Sequence, residues 1–394
     1  MKKVRLGIIG VGSMGDAHAR WILEGKTPRI ELAALADTDP APLALFPQVR
    51  KFSNGSDLIR SGEVDAVLIA TPHYDHTPLG VEALGAGLHL LMEKPISVHK
   101  ADCLRLIAAA KSAPRARTGR GKPVFAAMFN QRTNPHYRKL RELIRAGELG
   151  TVVRVQWTIT NWFRSQAYYS SGGWRATWAG EGGGVLLNQC PHNLDMFQWL
   201  FGMPESVTAF CGFGRHHDIE VEDSVTAYLE YPGGMNATFI ASTGEAPGTN
   251  RLEVACDRGR VVLENGGIEF NRTEVPVAEF CRTTPERWSP PPIWDARIPV
   301  AGENAQHIGI LNNFADAVLD GAPLIAPAGE GIHSVELANA MLLSAFERKT
   351  VRLPLDAARY ARALKKRIAD SKFKKPVVKA PRVRRDLANS FGKF

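Results

Sequence analysis

The feature that most restricts this 394-residue chain is a glycine spacing, Gly10-Val11-Gly12-Ser13-Met14-Gly15, set between two runs of different periodicity. Val4 to Ile9 is apolar in the manner of a buried strand, and Asp16 to Leu23 has the spacing of a helix. Gly10 permits a tight turn, Gly12 lets the backbone approach a ligand, and Gly15 lets helix and strand pack closely. The helix start adds unpaired N–H groups and a positive dipole end, which is what a pyrophosphate needs. On the glycines alone, a turn with no ligand stays open. Asp37 narrows the choice. It closes the apolar strand Leu32 to Ala36, about 20 residues past the glycines, where a carboxylate accepts hydrogen bonds from ribose hydroxyls and repels a 2'-phosphate. Thr38 supplies no arginine for such a phosphate, so NAD is expected rather than NADP, with Ser13 and Met14 as further contacts.

Strands and helices then alternate: Val64 to Ala70, Thr77 to Ala86, Leu88 to Met92 and Ala101 to Ser112. This predicts a doubly wound parallel sheet. Ligands of such sheets lie at the carboxyl ends of the strands, where Thr71-Pro72 and Glu93-Lys94-Pro95 fall. A basic loop, Arg115 to Lys122, precedes a strand at Val124. From Thr151 the pattern changes to Thr151–Thr160, Ser206–Phe213, Ser224–Tyr231, Met235–Ser242, Arg251–Ala255 and Arg260–Glu264, joined by glycine-rich turns such as Pro232-Gly233-Gly234. A largely antiparallel sheet follows. Helices are expected at Pro135–Ala146, around His192–Phe201, at Asn304–Leu319 and at Ser334–Phe346, the last two covering the sheet or returning to the first domain. The fold class is α/β followed by α+β, with domains at 1–127 and 128–355 and a basic extension at 356–394.

The net charge of +9 invites a nucleic-acid reading until it is located. Arg362 to Phe394 holds twelve Lys/Arg against two Asp, which leaves the rest of the chain near −1. From Lys372, with prolines at 376 and 381, the segment reads as a solvated or subunit-wrapping arm, and no nucleic-acid partner is expected. No apolar run is long enough to span a membrane, and the short stretch after the N-terminal lysines merges into the glycine turn, so a cytoplasmic enzyme is expected. Cys103, Cys190, Cys211, Cys256 and Cys281 lack metal-ligand spacing, and reduced thiols without a metal site are expected.

Taken in order, the glycine turn, "ATPHYDH" (Ala70–His76), "AGLHLLMEKP" (Ala86–Pro95), "GELG" (Gly147–Gly150) and "GGGVLLNQCPHNLD" (Gly182–Asp195) resemble the Gfo/Idh/MocA oxidoreductase family over residues 4–353. The resemblance implies a Rossmann domain followed by an open-sheet domain. It also implies NAD(P)-linked oxidation or reduction of a sugar, a cyclitol or a derivative, with Glu93, Thr71, Pro72 and His76 lining the nucleotide. Lys94 then lies beside the nicotinamide and hydrogen-bonds the substrate oxygen, where a cation stabilises alkoxide character, and its peptide to Pro95 is a candidate cis bond. His192 is the implied proton-transfer residue. Relatives commonly carry aspartate four positions earlier, whereas this chain has Asn188, which can orient an imidazole or bind a hydroxyl but holds no charge. If one helix runs through both they share a face, provided Pro191 lies in a first turn; helix N-capping is the alternative for Asn188.

Trp157, Trp162, Trp174 and Trp178 crowd one stretch with Phe163, Tyr168, Tyr169, Arg164 and Arg175. They are either a sugar-stacking surface or an aromatic core. Trp174-Arg175 is placed by the resemblance within reach of cofactor or substrate, Tyr168 is a substrate candidate, and Arg132 in "FNQRTNP" is another. An NAD-retaining glycosidase and a non-catalytic NAD sensor remain as alternatives, although a sensor needs neither Lys94 nor His192. An open sheet with one uncovered face points to a homodimer or homotetramer.

Overall fold

The computed structural model describes residues 2–119 and 121–375. Its contacts divide the chain into two units. The first comprises residues up to Thr133 together with Ala179–Gly182 and Ala305–Glu336. Its strands are β1 (Val4–Ile9), β2 (Ile30–Ala36), β3 (Arg50–Phe52), β4 (Ala66–Ile69), β5 (His89–Met92) and β6 (Phe125–Ala127). Among the described residues they form a six-stranded sheet in the order β3-β2-β1-β4-β5-β6, every pair parallel. The order reverses between β1 and β4, which is where doubly wound sheets open a crevice for ligands. Leu68, Ile69, Leu90 and Leu91 are buried, because a parallel strand covered on both faces needs apolar residues at every position.

The unit is not one stretch of sequence. The helix Gln306–Asp320 buries Ile310, Leu311, Phe314 and Ala315 in the same core as Leu6 and Ile8, and Ala126 of β6 bridges Pro327. Of the two placements open for this helix, return to the first domain is the one observed. A cut of the chain at residue 127 therefore does not separate the units.

The second unit holds β7 (Val152–Ile159), β8 (Ser206–Phe213), β9 (Glu222–Glu230), β10 (Asn236–Ser242), β11 (Asn250–Cys256), β12 (Gly259–Glu264), β13 (Gly267–Thr273), β14 (Ile293–Arg297) and β15 (Val351–Arg352). Among the described residues these make a nine-stranded sheet, β14-β13-β12-β11-β7-β10-β9-β8-β15, antiparallel except where β7 pairs with β10. One face carries the core: Trp157 packs against Tyr137 of the helix Pro135–Arg145 and Phe197 of the helix Pro191–Phe201, and Phe197 meets Phe239 edge-on. The opposite face leaves Phe210 75% and Tyr228 44% exposed.

The basic extension expected from residue 356 begins instead as a helix, Ala357–Asp370, capped by the Asp356 carboxylate and burying Tyr360 and Leu364. That i, i+4 apolar pair anchors it, while Arg359, Arg362, Lys365, Lys366 and Arg367 are exposed. The arm read from Lys372 lies beyond residue 375 outside the described residues. All five cysteines are free thiols. Among the described residues no helix is long and apolar enough to cross a membrane.

Candidate active site

In the first unit the glycine turn is built as its spacing requires. Gly10 has φ +88°, and a Cβ there would lie 2.8 Å from the Ala70 carbonyl, so the end of β4 passes where only glycine fits. A Cβ on Gly15 would come within 1.9 Å of Gly10 O. Gly12 is exposed and a Cβ on it would meet nothing within 4 Å, which leaves room beside the turn. The helix Ser13–Leu23 starts there with no side-chain cap, so its first N–H groups are directed at whatever occupies that room. Asp37 closes the turn from β2: its Oδ2 accepts the Val11 N–H at 2.7 Å and its Oδ1 the Asp39 N–H at 2.9 Å. Thr71 Oγ1, at the carboxyl end of β4, is buried without a hydrogen-bond partner among the described residues. Open backbone at Gly12, uncapped N–H groups, an acidic strand end and an orphaned hydroxyl together fit a dinucleotide.

Lys94 follows β5 and its peptide to Pro95 is cis, as expected. What holds its backbone was not foreseen. Glu93 is buried; its Oε1 accepts from His18 Nε2 at 2.8 Å and its Oε2 from Lys94 N at 3.1 Å. Burial alone would raise this carboxyl, but the His18 hydrogen bond and the nearby His307 and Lys94 charges outweigh it and hold it at about 2. Trp21 and His307 pack their rings 5.3 and 5.8 Å from that of His18. Burial drives His307 down to about 3, against the pull of Glu93. The available signal was an imidazole on the buried face of the first helix, with Ala19 and Ile22.

Two expected contacts in this unit do other work. His76, expected at the nucleotide, is buried with Nδ1 on Pro95 O at 2.7 Å and Nε2 on Thr71 O at 3.0 Å. It braces the two strand-end loops against each other, and neither ring nitrogen is left to meet a ligand. Arg132, expected at the substrate, is 2% exposed and spends its guanidinium on Glu330 Oε2 at 2.5 Å, the Ile325 carbonyl at 3.3 Å and the Phe129 ring. Its partners lie almost 200 positions away, which is why a loop arginine looked ligand-facing.

In the second unit, Tyr168, Arg175 and Asn188, each named separately as a substrate candidate, hydrogen-bond to one another. Arg175 Nη1 donates to Tyr168 OH at 2.8 Å, and Tyr168 OH donates to Asn188 Oδ1 at 3.2 Å. Gln189, which sequence reasoning missed, donates to both, at 3.2 and 3.1 Å. The Arg175 guanidinium lies between the rings of Trp174 and Tyr168, 4.4 and 4.7 Å from their centroids. Ala176, next to it, is a buried non-glycine residue at φ 63°, a strained conformation of the sort found where side-chain direction matters. The remaining tryptophans divide differently: Trp157 and Trp178 are core, and Trp162 is buried with its N–H on Asn193 Oδ1.

Asn188 ends the short helix Val185–Asn188, and His192 opens a second, Pro191–Phe201, whose N-cap is Cys190. One uninterrupted helix does not carry both, because Pro191 has no N–H to donate back. It occupies the first turn, where that is tolerated, and Asn188 is not a cap. The lead-in is pinned from the sheet. The Glu222 carboxylate of β9 accepts Gly184 N at 2.8 Å to each oxygen and Leu186 N at 3.0 Å, and a Cβ on Gly184 would sit 1.9 Å from Glu222 O. Both His192 and Asp195 are buried.

Residues 4–118 match the model of the oxidoreductase family NAD-binding Rossmann fold, and residues 137–262 that of the GFO/IDH/MocA C-terminal domain. The chain belongs to the Gfo/Idh/MocA oxidoreductase family. Its first unit is an NAD-binding Rossmann domain. Similar proteins include the 1-carboxy-3-chloro-3,4-dihydroxycyclo hexa-1,5-diene dehydrogenase of Comamonas testosteroni, 31% identical over 78% of this chain and 76% of that one. The inositol 2-dehydrogenase of Corynebacterium glutamicum is 29% identical over 51% of this chain and 55% of its own length. The chain thus spans about half the length of the curated relative it matches there. Among solved structures, the WlbA dehydrogenase of Chromobacterium violaceum, in complex with NADH and UDP-GlcNAcA, superposes with a TM-score of 0.76 at 25% identity, over 90% of this chain and 97% of that one.

Proposed function

We propose that this chain is an NAD-dependent dehydrogenase that oxidises a CH–OH group of a sugar, glycoside or cyclitol, or reduces the corresponding ketone. The observation that carries the reading is the fixed Lys94 backbone: its N–H is held by the anchored, ionised Glu93 at the carboxyl end of a strand in an NAD-binding domain. In this reading the Lys94 ammonium donates to the substrate oxygen and stabilises its alkoxide character. His192 accepts the hydroxyl proton, and Asn188 and Tyr168 orient the substrate. NAD, when bound, supplies the hydride acceptor. The relatives named above are dehydrogenases of cyclic polyols or sugar derivatives, which favours net oxidation over the glycosidase and sensor readings. Lys94→Met should lower kcat by about 10²-fold or more, as loss of a preorganised electrostatic donor does, with the NAD Kd within about twofold. Near-normal turnover in the variant would remove Lys94 from the chemistry.

A second copy of the chain is the proposed cover for the open sheet face around Phe210 and Tyr228. Light scattering should return a dimer or tetramer, and Phe210→Glu should shift it towards monomer; a monomeric wild type contradicts this assignment.

A further inference from the structure

We infer that the substrate of this enzyme carries a carboxylate, held by Arg175 and Arg164; the inference rests on the dehydrogenase reading above and narrows its substrate class. Arg175 uses Nη1 on Tyr168, and its Nε and Nη2 have no partner among the described residues. Arg164 uses Nη1 on the Phe163 carbonyl, and its Nε and Nη2 are likewise unengaged among the described residues. That Nε/Nη2 edge is the planar fork which pairs with both oxygens of a carboxylate.

The charge around these edges points the same way. The two guanidinium carbons lie 5.2 and 4.7 Å from the centroid of the Tyr168 ring, hence no more than about 10 Å from each other. Neither arginine has a carboxylate within ion-pair distance among the described residues, although thirteen other lysines and arginines among them do. The side chain that reaches Tyr168 from the other direction is Asn188, an amide, accompanied by the amide of Gln189. An aspartate at 188 would neutralise one arginine through the tyrosine hydroxyl; the amide leaves two positive charges on one half-buried ring. Both guanidinium stems are also stiffened, Arg175 between two aromatic rings and Arg164 against Trp162 and Tyr168, so less freedom is lost when an anion docks. A sugar acid or a carboxylated cyclitol offers both the anion and the secondary alcohol that a CH–OH dehydrogenase oxidises.

The test uses the full-length protein and three matched pairs: D-glucuronate with D-glucose, D-galacturonate with D-galactose, and quinate with myo-inositol. NADH formation gives kcat/KM, and quenching of tryptophan fluorescence gives Kd without turnover. At least one acid should exceed its neutral partner by about 10-fold or more, the range for charge-assisted hydrogen bonds. In Arg175→Gln and in Arg164→Gln that ratio should fall towards one through a higher KM for the acid, with Arg175→Lys intermediate and the KM for NAD little altered. Thermal melting of each variant confirms that it is folded. Three results overturn the inference: neutral ligands equal to or better than the acids in every pair, an acid preference that survives in the double Gln variant, or glucose 6-phosphate preferred over glucuronate. If neither acids nor neutral compounds yield NADH, the dehydrogenase reading fails; arginine-dependent quenching by an acid then still supports carboxylate binding, and its absence refutes it.

Discussion

Glu222→Gln isolates the contribution of one buried charge to the segment that carries Asn188. The carboxylate accepts from Gly184 N through both oxygens and from Leu186 N through one. Glutamine keeps one oxygen, which can serve Leu186 and half of the Gly184 contact, but it turns an NH₂ towards the Gly184 N–H, 2.8 Å from where the second oxygen stood. Loss of a hydrogen bond to a charged group, with two donors opposed, costs about 1.5–3 kcal/mol. For a domain of this size that is a fall in Tm of about 3–12 °C. The damage is local, at the start of the helix that ends in Asn188, so kcat should drop by about 10- to 100-fold, the range for misplacement of a positioning group. NAD affinity, which depends on Gly10–Gly15 and Asp37 in the other unit, should stay within about twofold. Calorimetry, steady-state kinetics and NAD titration by fluorescence measure the three quantities separately. An unchanged Tm and kcat would refute the argument that this charge organises the segment, and a parallel loss of NAD affinity would show that the effect is not local.

Asp37→Ala removes both the brace on Val11 N–H and the acceptor for ribose, so the Kd for NAD should rise about 10- to 100-fold; a change under twofold in a fluorescence titration would remove Asp37 from nucleotide recognition. Stability should decline on the acid side in two stages. His307 at about 3 lies below its ordinary 6.5, so the unfolded chain takes up that proton first and the contribution, fully present above pH 6.5, is lost as pH falls from there towards 3. Burial holds His89 at about 4, with the same sign, and Glu93 at about 2 adds a loss that begins below its ordinary 4.5. Urea midpoints between pH 7 and 4 should therefore fall, with His307→Asn flattening the upper stage; a profile level from pH 6.5 to 4.5 would contradict it.

The parts of the fold that sequence announced are those in which backbone geometry admits one residue type. Gly10 and Gly15 are glycine because neighbouring backbone occupies the Cβ position, and a turn, a strand and a helix can be read around them. By contrast β3 is the three residues Arg50-Lys51-Phe52, and β14 is exposed along its whole length; neither has the apolar alternation that marks a half-buried strand. In the second unit, Arg175 and Asn188 were singled out by resemblance and Tyr168 by the aromatic-rich stretch around it, and their contacts span only 7 and 20 positions. His18 with Glu93, and Arg132 with Glu330, are pairings across 75 and 198 positions. Each residue alone looks like a helix histidine or a loop arginine, and only the fold supplies the partner.

The helix Gln306–Asp320 has a consequence for how the chain is made. Its Leu311 and Phe314 lie in the core around β1, yet they leave the ribosome just over three hundred residues after Ile8. During that interval the nascent nucleotide-binding half has a greasy flank with nothing to cover it, while all but the last strand of the mixed sheet is synthesised. A chaperone clientele, or a dependence on slow and undisturbed elongation, is the natural outcome of such a late final piece. It also means that a nonsense mutation within the second unit before residue 306 strips a wall from the NAD-binding unit as well.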